Sequence, residues 1–224
     1  MYKPTDKMSD LIANNHRALL VISRFGIPLG FGDKTIDTVC KEYKIDTNTF
    51  LLIATIVINS KYTNQAEQKV SIEAVVSYLK QSHDYFLNFR LPSIREKLFA
   101  IVSREQNDLS KAIMFYFDEY VAEVKKHMGY EDEFVFPYID SLIRNGKDNK
   151  YQISIFVRQH NHVEDRMMEF KNLIIKYYPA KSTNEINGVL FEIFSCEEDL
   201  KSHIAIEDNL LVPIIKQIES QRAK

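Results

Sequence analysis

Two stretches of this chain carry a histidine and a glutamate four residues apart, each followed six residues later by a proline. They are His127, Glu131 and Pro137, and His203, Glu207 and Pro213. Both lie in apolar-periodic sequence that reads as helix. A helix advances about 100° per residue, so positions i and i+4 share a face. Each copy therefore offers an imidazole and a carboxylate to one point in space, and two such helices face to face can hold a pair of metal ions. Two further histidines extend the pattern: His83 in Ser-His-Asp-Tyr and His160 in Gln-His-Asn-His. The order His, His-x-x-x-Glu then occurs twice, with 44 residues from His83 to His127 and 43 from His160 to His203. One helical hairpin, duplicated, gives this arrangement.

Imidazole and carboxylate together suit first-row metals such as iron, manganese and zinc. A carboxylate has two oxygens and can span two ions, whereas a neutral imidazole cannot. The natural assignment is two histidines per metal, with Glu131 and Glu207 bridging both. An octahedral ion with four protein ligands keeps open positions, and open positions belong to sites that react or exchange. A single histidine on an apolar helix face is ordinarily a hydrogen-bonded core residue; the metal reading rests on four of them fitting one scheme. His162 lies two residues from His160 and points about 200° away on a regular helix, so it is expected on the surface or behind a ligand. Asp84, Glu133 and Glu164 flank the set as solvated or supporting carboxylates. Tyr85, Phe86, Tyr116, Tyr120, Tyr130 and Tyr138 read mainly as core.

The elements that must position these residues follow from periodicity and caps. Met8, Leu11 and Ile12, then Ala18, Leu19 and Ile22, mark two short helices. Gly26, Pro28, Gly30 and Gly32 mark a turn. Ile36, Val39, Cys40 and Tyr43 form another helical face, and Asp46 starts a helix bearing Phe50, Leu51, Leu52, Ile53 and Ile56. The polar run 61–67 reads as a linker. Beyond it come four long helices, from about Ile72 to Val102, Leu109 to Arg144, Ile153 to Tyr178, and a capping box at Ser182–Glu185 onward towards Gln221. Pro92 should kink or interrupt the first. The expected fold is all-α: an up-down-up-down four-helix bundle over 68–224, preceded by a small helical domain over 1–62.

Composition narrows the partners. The chain has 224 residues, 45% of them hydrophobic, and a formal charge of −2. Without a basic stripe, nucleic acid and anionic membranes are not expected partners. Cys40 and Cys196 form no CxxC pair, which fits a reducing compartment. The polar N-terminus does not resemble a signal peptide. The apolar run from Phe50 to Ile58 is too short to span a bilayer. A soluble cytoplasmic protein is the expectation. No nucleophile triad, phosphate loop or dinucleotide fingerprint is present.

The run Glu198-Asp-Leu-Lys-Ser-His203-Ile-Ala-Ile-Glu207-Asp-Asn-Leu-Leu-Val-Pro213 resembles the hemerythrin-like superfamily. More closely, it resembles the repair-of-iron-centres (RIC) di-iron proteins, whose phrase is His-Ile-x-x-Glu-Asn-x-x-Leu-Phe-Pro. The stretch from His127 to Pro137 is similar. The resemblance extends to the N-terminal unit, where Phe25-Gly-Ile-Pro-Leu-Gly-Phe-Gly-Asp33 follows the family pattern, but Gly30 and Phe31 stand where the family has paired cysteines. Any thiol role there is lost.

The resemblance implies ligands at His83, His127, Glu131, His160, His203 and Glu207. It implies two iron ions in an oxo-bridged centre and recovery of iron–sulfur clusters after oxidative or nitrosative damage, by iron donation or nitric oxide chemistry. The implied partners are damaged or apo iron–sulfur proteins and small diatomic ligands, nitric oxide and dioxygen. A homodimer is a further expectation. Two other functions compete. One is an oxygen-binding or redox-sensing hemerythrin, disfavoured because oxygen carriers use five histidines. The other is a signalling module whose N-terminal unit binds a partner.

Overall fold

The computed structural model describes residues 2–59, 70–105, 107–145, 151–159, 163–179 and 183–222. The described residues form helices and no strand. The expected linker at 61–67, the turn at 146–149, Ser182, His160 and His162 lie outside them. Two compact units divide the chain: residues 83–201 form one, and residues 1–82 with 202–224 the other.

In the unit made of 1–82 and 202–224, four helices follow the sequence reading closely: α1 (Met8–Asn14), α2 (Ala18–Arg24), α3 (Ile36–Glu42) and α4 (Thr47–Asn59). Two of their starts carry side-chain caps, one at Asp46 as the sequence suggested and one at Thr35. Thr35 Oγ1 accepts from Thr38 N–H at 3.2 Å. The Asp46 carboxylate takes both the N–H and the hydroxyl of Thr49, at 2.8 and 2.6 Å, satisfying donors that a helix start leaves open. Gly26, Gly30 and Gly32 all have positive φ, a conformation that costs glycine little. They turn the chain between α2 and α3. Helix α4 buries Phe50, Leu52, Ile53, Ala54, Ile56 and Val57, so it is apolar on most sides and lies in the core of this unit. Tyr78 of α5 (Ile72–Asp84) is buried against Arg24, whose guanidinium donates to its hydroxyl at 3.3 Å.

The unit 83–201 is built on α6 (Leu91–Val102), α7 (Asp108–Tyr130), α8 (Phe136–Asn145), α9 (Ile153–Gln159), α10 (Val163–Tyr177) and most of α11 (Thr183–Ile206). Asn107 caps α7 by accepting from Ser110 N–H at 2.8 Å. Helix α7 buries Ile113, Phe117, Tyr120, Val124 and Met128 along one stripe. Phe117 meets Phe170 of α10 with ring centroids 5.3 Å apart. Arg95 clasps Asp118 through two bonds of 2.7 and 2.8 Å, tying α6 to α7. Arg90 and Lys97 both reach Glu192, and Arg104 reaches Glu185, tying the α6 side to α11.

Three long helical paths run without a break, from Ile72 to Val102, Asp108 to Asn145 and Thr183 to Arg222, the last ending in α12 (Val212–Arg222). Each contains one π turn: Tyr85–Arg90, Glu131–Val135 and Glu207–Leu211. The residue after each turn donates its N–H to the carbonyl five back: Leu91 to Phe86, Phe136 to Glu131, and Val212 to Glu207. A proline comes next every time, at 92, 137 and 213. In an α-helix the proline ring collides with the carbonyl four residues earlier. A turn widened to i→i+5 relieves that collision. Pro92 therefore does not end its helix; the helix widens ahead of it and continues.

Candidate metal centre

The π turns fall at the residues singled out for chemistry. His83 lies in the last turn of α5 and His127 in the last turn of α7, and Glu131 opens the second π turn. His203 lies in the last turn of α11, and Glu207 opens the third. π turns inside α-helices are frequent at functional sites.

Within 83–201, three of the expected ligands meet. Glu131 is completely buried. Its Oε2 stands 3.1 Å from His83 Nε2, and its Oε1 stands 3.0 Å from His127 Nε2. The carboxylate thus turns one oxygen to each imidazole. His83, 3% exposed, is stacked on Phe136 at 5.4 Å between centroids. Its other nitrogen, Nδ1, stands 3.0 Å from Asp132 Oδ1. In the other unit, His203 Nε2 and Glu207 Oε1 are 2.9 Å apart and both side chains are fully buried.

These separations test whether a metal fits. Neighbouring ligands of an octahedral ion bound at about 2.1 Å lie ~3.0 Å apart; on a tetrahedral ion they lie ~3.4 Å apart. The three imidazole–carboxylate distances, 3.1, 3.0 and 2.9 Å, match the octahedral edge. Hydrogen-bond logic points the same way. His83 stands between two carboxylates, Asp132 at Nδ1 and Glu131 at Nε2, and a carboxylate only accepts. A neutral imidazole can donate to only one of them, and in a dry site a cation at the other satisfies both.

Residues 74–215 match the family model of the hemerythrin HHE cation binding domain. The chain belongs to this family. The HHE domain is a metal-cation-binding module, and buried His83 and Glu131 with half-buried His127 offer the donor types that such a module uses. No curated protein matches the chain.

The remaining sequence-predicted residues of the HHE domain separate into three groups. His160 and His162 lie outside the described residues, as does the side chain of Glu164. Asp84 is exposed and accepts from the Asn88 amide at 2.7 Å, and Glu133 is exposed; both are surface carboxylates. Among the aromatics, Phe86, Tyr120 and Tyr138 are core, while Tyr116 is 43% exposed. Tyr130, next to Glu131, shares a 2.9 Å hydrogen bond with Tyr151. Burial, then that bond, pushes the Tyr151 phenol well above its usual range.

Sequence reasoning passed over Asp132, the residue that actually grips a histidine. The signal was its place directly after Glu131, repeated as Asp208 after Glu207. Cys40 is buried, and burial pushes its thiol up to about 12. It does not replace the paired cysteines that Gly30 and Phe31 lack. No helix among the described residues is long and apolar enough to cross a membrane.

Proposed function

We propose that this HHE protein is a non-haem di-iron protein of the repair-of-iron-centres type, serving iron–sulfur cluster recovery under oxidative or nitrosative stress. Its two irons are held by His83, His127, Glu131, His160, His203 and Glu207. The observation that carries the reading is Glu131, a fully buried carboxylate whose two oxygens each face a different imidazole. That placement suits a ligand shared between two ions. The family match over 74–215 supports the extension, because it takes both His-x-x-x-Glu copies and His160 into one domain.

Iron bound there supplies one-electron chemistry and exchangeable coordination positions. The chain's own residues do the rest. Glu131 and Glu207 balance cationic charge in a site too dry for water to do so. Phe136 fixes the plane of the His83 ring. Four histidines, rather than the five of an oxygen carrier, leave both ions accessible, which favours iron donation or nitric oxide binding over stable oxygen carriage. The recipients are damaged or apo iron–sulfur proteins. The N-terminal helical domain, 1–62, is a partner-binding element or a dimer contact.

The test is metal content per chain on protein purified without added metal, with optical spectra before and after dithionite, followed by iron transfer to an apo iron–sulfur protein. About two irons, reducible and transferable, is the expected result. Redox-silent zinc retained after iron-supplemented growth would refute the iron function. A stable, reversible oxygen adduct without transfer would move the assignment to an oxygen-binding module.

A further inference from the structure

Glu131 and Asp132 are consecutive, yet both reach one imidazole: Glu131 Oε2 at His83 Nε2, 3.1 Å, and Asp132 Oδ1 at His83 Nδ1, 3.0 Å. On a regular α-helix neighbouring side chains diverge by about 100°. Here the pair opens the π turn Glu131–Val135, and the two carboxylates meet the two nitrogens of one ring. The two carboxylates are not equivalent. Glu131 is sealed in the core, whereas the Asp132 side chain is 45% exposed. Asp132 meets Nδ1, the ring nitrogen that Glu131 does not reach.

We propose that Asp132 is a positioning residue of the metal centre: its carboxylate takes the Nδ1 proton of His83 and thereby commits Nε2 to the metal. The inference rests on the metal reading of the site and adds a residue to it. A free imidazole can carry its proton on either nitrogen, and the tautomer with Nε2–H cannot ligate through Nε2. An acceptor fixed at Nδ1 removes that tautomer, holds the ring against Phe136 and raises the donor strength of Nε2. The Glu–Asp pair recurs at Glu207–Asp208, again at the start of a π turn. An Asn in place of Asp132 can turn its amide NH2 towards Nδ1 and stabilise the wrong tautomer.

The experiment compares wild type, Asp132→Asn, Asp132→Glu and Glu133→Gln, the last an exposed carboxylate in the same turn. Two quantities are read: ferrous-iron affinity by chelator competition, and the protonated nitrogen of His83 in the metal-free chain by histidine 15N resonance. D132N is expected to bind iron about 10–100-fold more weakly, D132E to recover most of the loss, and E133Q to match wild type. His83 of the metal-free wild type should carry its proton on Nδ1, and D132N should shift it towards Nε2. Metal-free melting temperatures should agree across the set, which a merely structural role would not give. Wild-type affinity in D132N, an equal loss in E133Q, or a wild-type His83 protonated on Nε2 alone would overturn the role of Asp132 while the wild type still holds iron. A wild type that takes up no metal would overturn the metal reading and this role with it.

Discussion

Replacing Glu131 with glutamine should change stability in opposite directions with and without metal. The carboxylate is sealed from solvent, and its Oε2 stands 3.1 Å from His83 Nε2. A neutral His83 in the metal-free chain can donate to Glu131 or to Asp132 but not to both, and the contact left without a proton costs about 1–3 kcal/mol. A glutamine of the same shape can turn an N–H towards Nε2 and remove the cost. A gain of that size raises the melting temperature of a chain this long by roughly 2–4 °C per kcal/mol. With metal the sign reverses. A ligand at a thousand times its dissociation constant stabilises the wild type by about 4 kcal/mol, and Glu131→Gln forfeits most of this because its amide neither bridges nor neutralises. Calorimetric melts of both proteins, in chelator and in anaerobic excess ferrous iron, decide the matter. A variant that loses the same number of degrees in both conditions would refute the argument, since Glu131 would then be only a packed and hydrogen-bonded core residue.

Other consequences are open to direct measurement. Glu197 is buried, which raises its carboxyl, but Lys171 and Lys201 outweigh that and hold it below the ordinary value. Its contribution is therefore present above the unfolded carboxylate range, near pH 4, and is lost as pH falls through the lower folded value. Glu197→Gln should cost about 3 kcal/mol at neutral pH by stranding the Lys171 ammonium, only 12% exposed, and should flatten the acid limb of a stability–pH curve. Cys40, its thiol pushed up to about 12 by burial, should resist alkylation at pH 8 in the native state and react only on unfolding. Pro137→Ala restores a backbone donor and lets the π turn Glu131–Val135 relax towards α-helix. It should weaken metal binding severalfold without lowering the melting temperature of the metal-free chain, as paired chelator titrations and melts would reveal.

Much of this architecture was legible in the order of residue types. The apolar periods and the cap at Asp46 marked elements that fold nearly where they were expected, because a cap is a local bargain between one side chain and the next two or three amides. The pairing of His127 with Glu131, and of His203 with Glu207, was legible for the same reason: four residues make a turn. The π turns were not. Their only trace in the sequence is a proline shortly after each, at 92, 137 and 213, of which Pro92 was expected to kink or interrupt its helix. The ring instead selects a wider turn because tertiary packing carries the helix onward on both sides of it. Asp132 was hidden for another reason: it projects about 100° from Glu131 on a helix, so no local spacing paired it with His83, and the bond is a matter of tertiary approach. The aromatic pair Tyr130 and Tyr151 is likewise a matter of tertiary approach, with no local spacing to announce it.

The sealing of Glu131 and Glu207 has a consequence for the life of the protein in the cell. Their side chains are closed over by the surrounding packing, so a chain that finishes synthesis before a cation arrives must either stay ajar or shut around carboxylates whose charge only the neighbouring imidazoles can balance. Either way, the unfilled chain spends more of its time open to proteases. Scarcity of metal would then remove the protein by turnover before it could fill the centre with the wrong ion, and abundance of metal would raise its amount without any change in synthesis. A centre built into the core ties how much protein exists to how much cation there is to fill it.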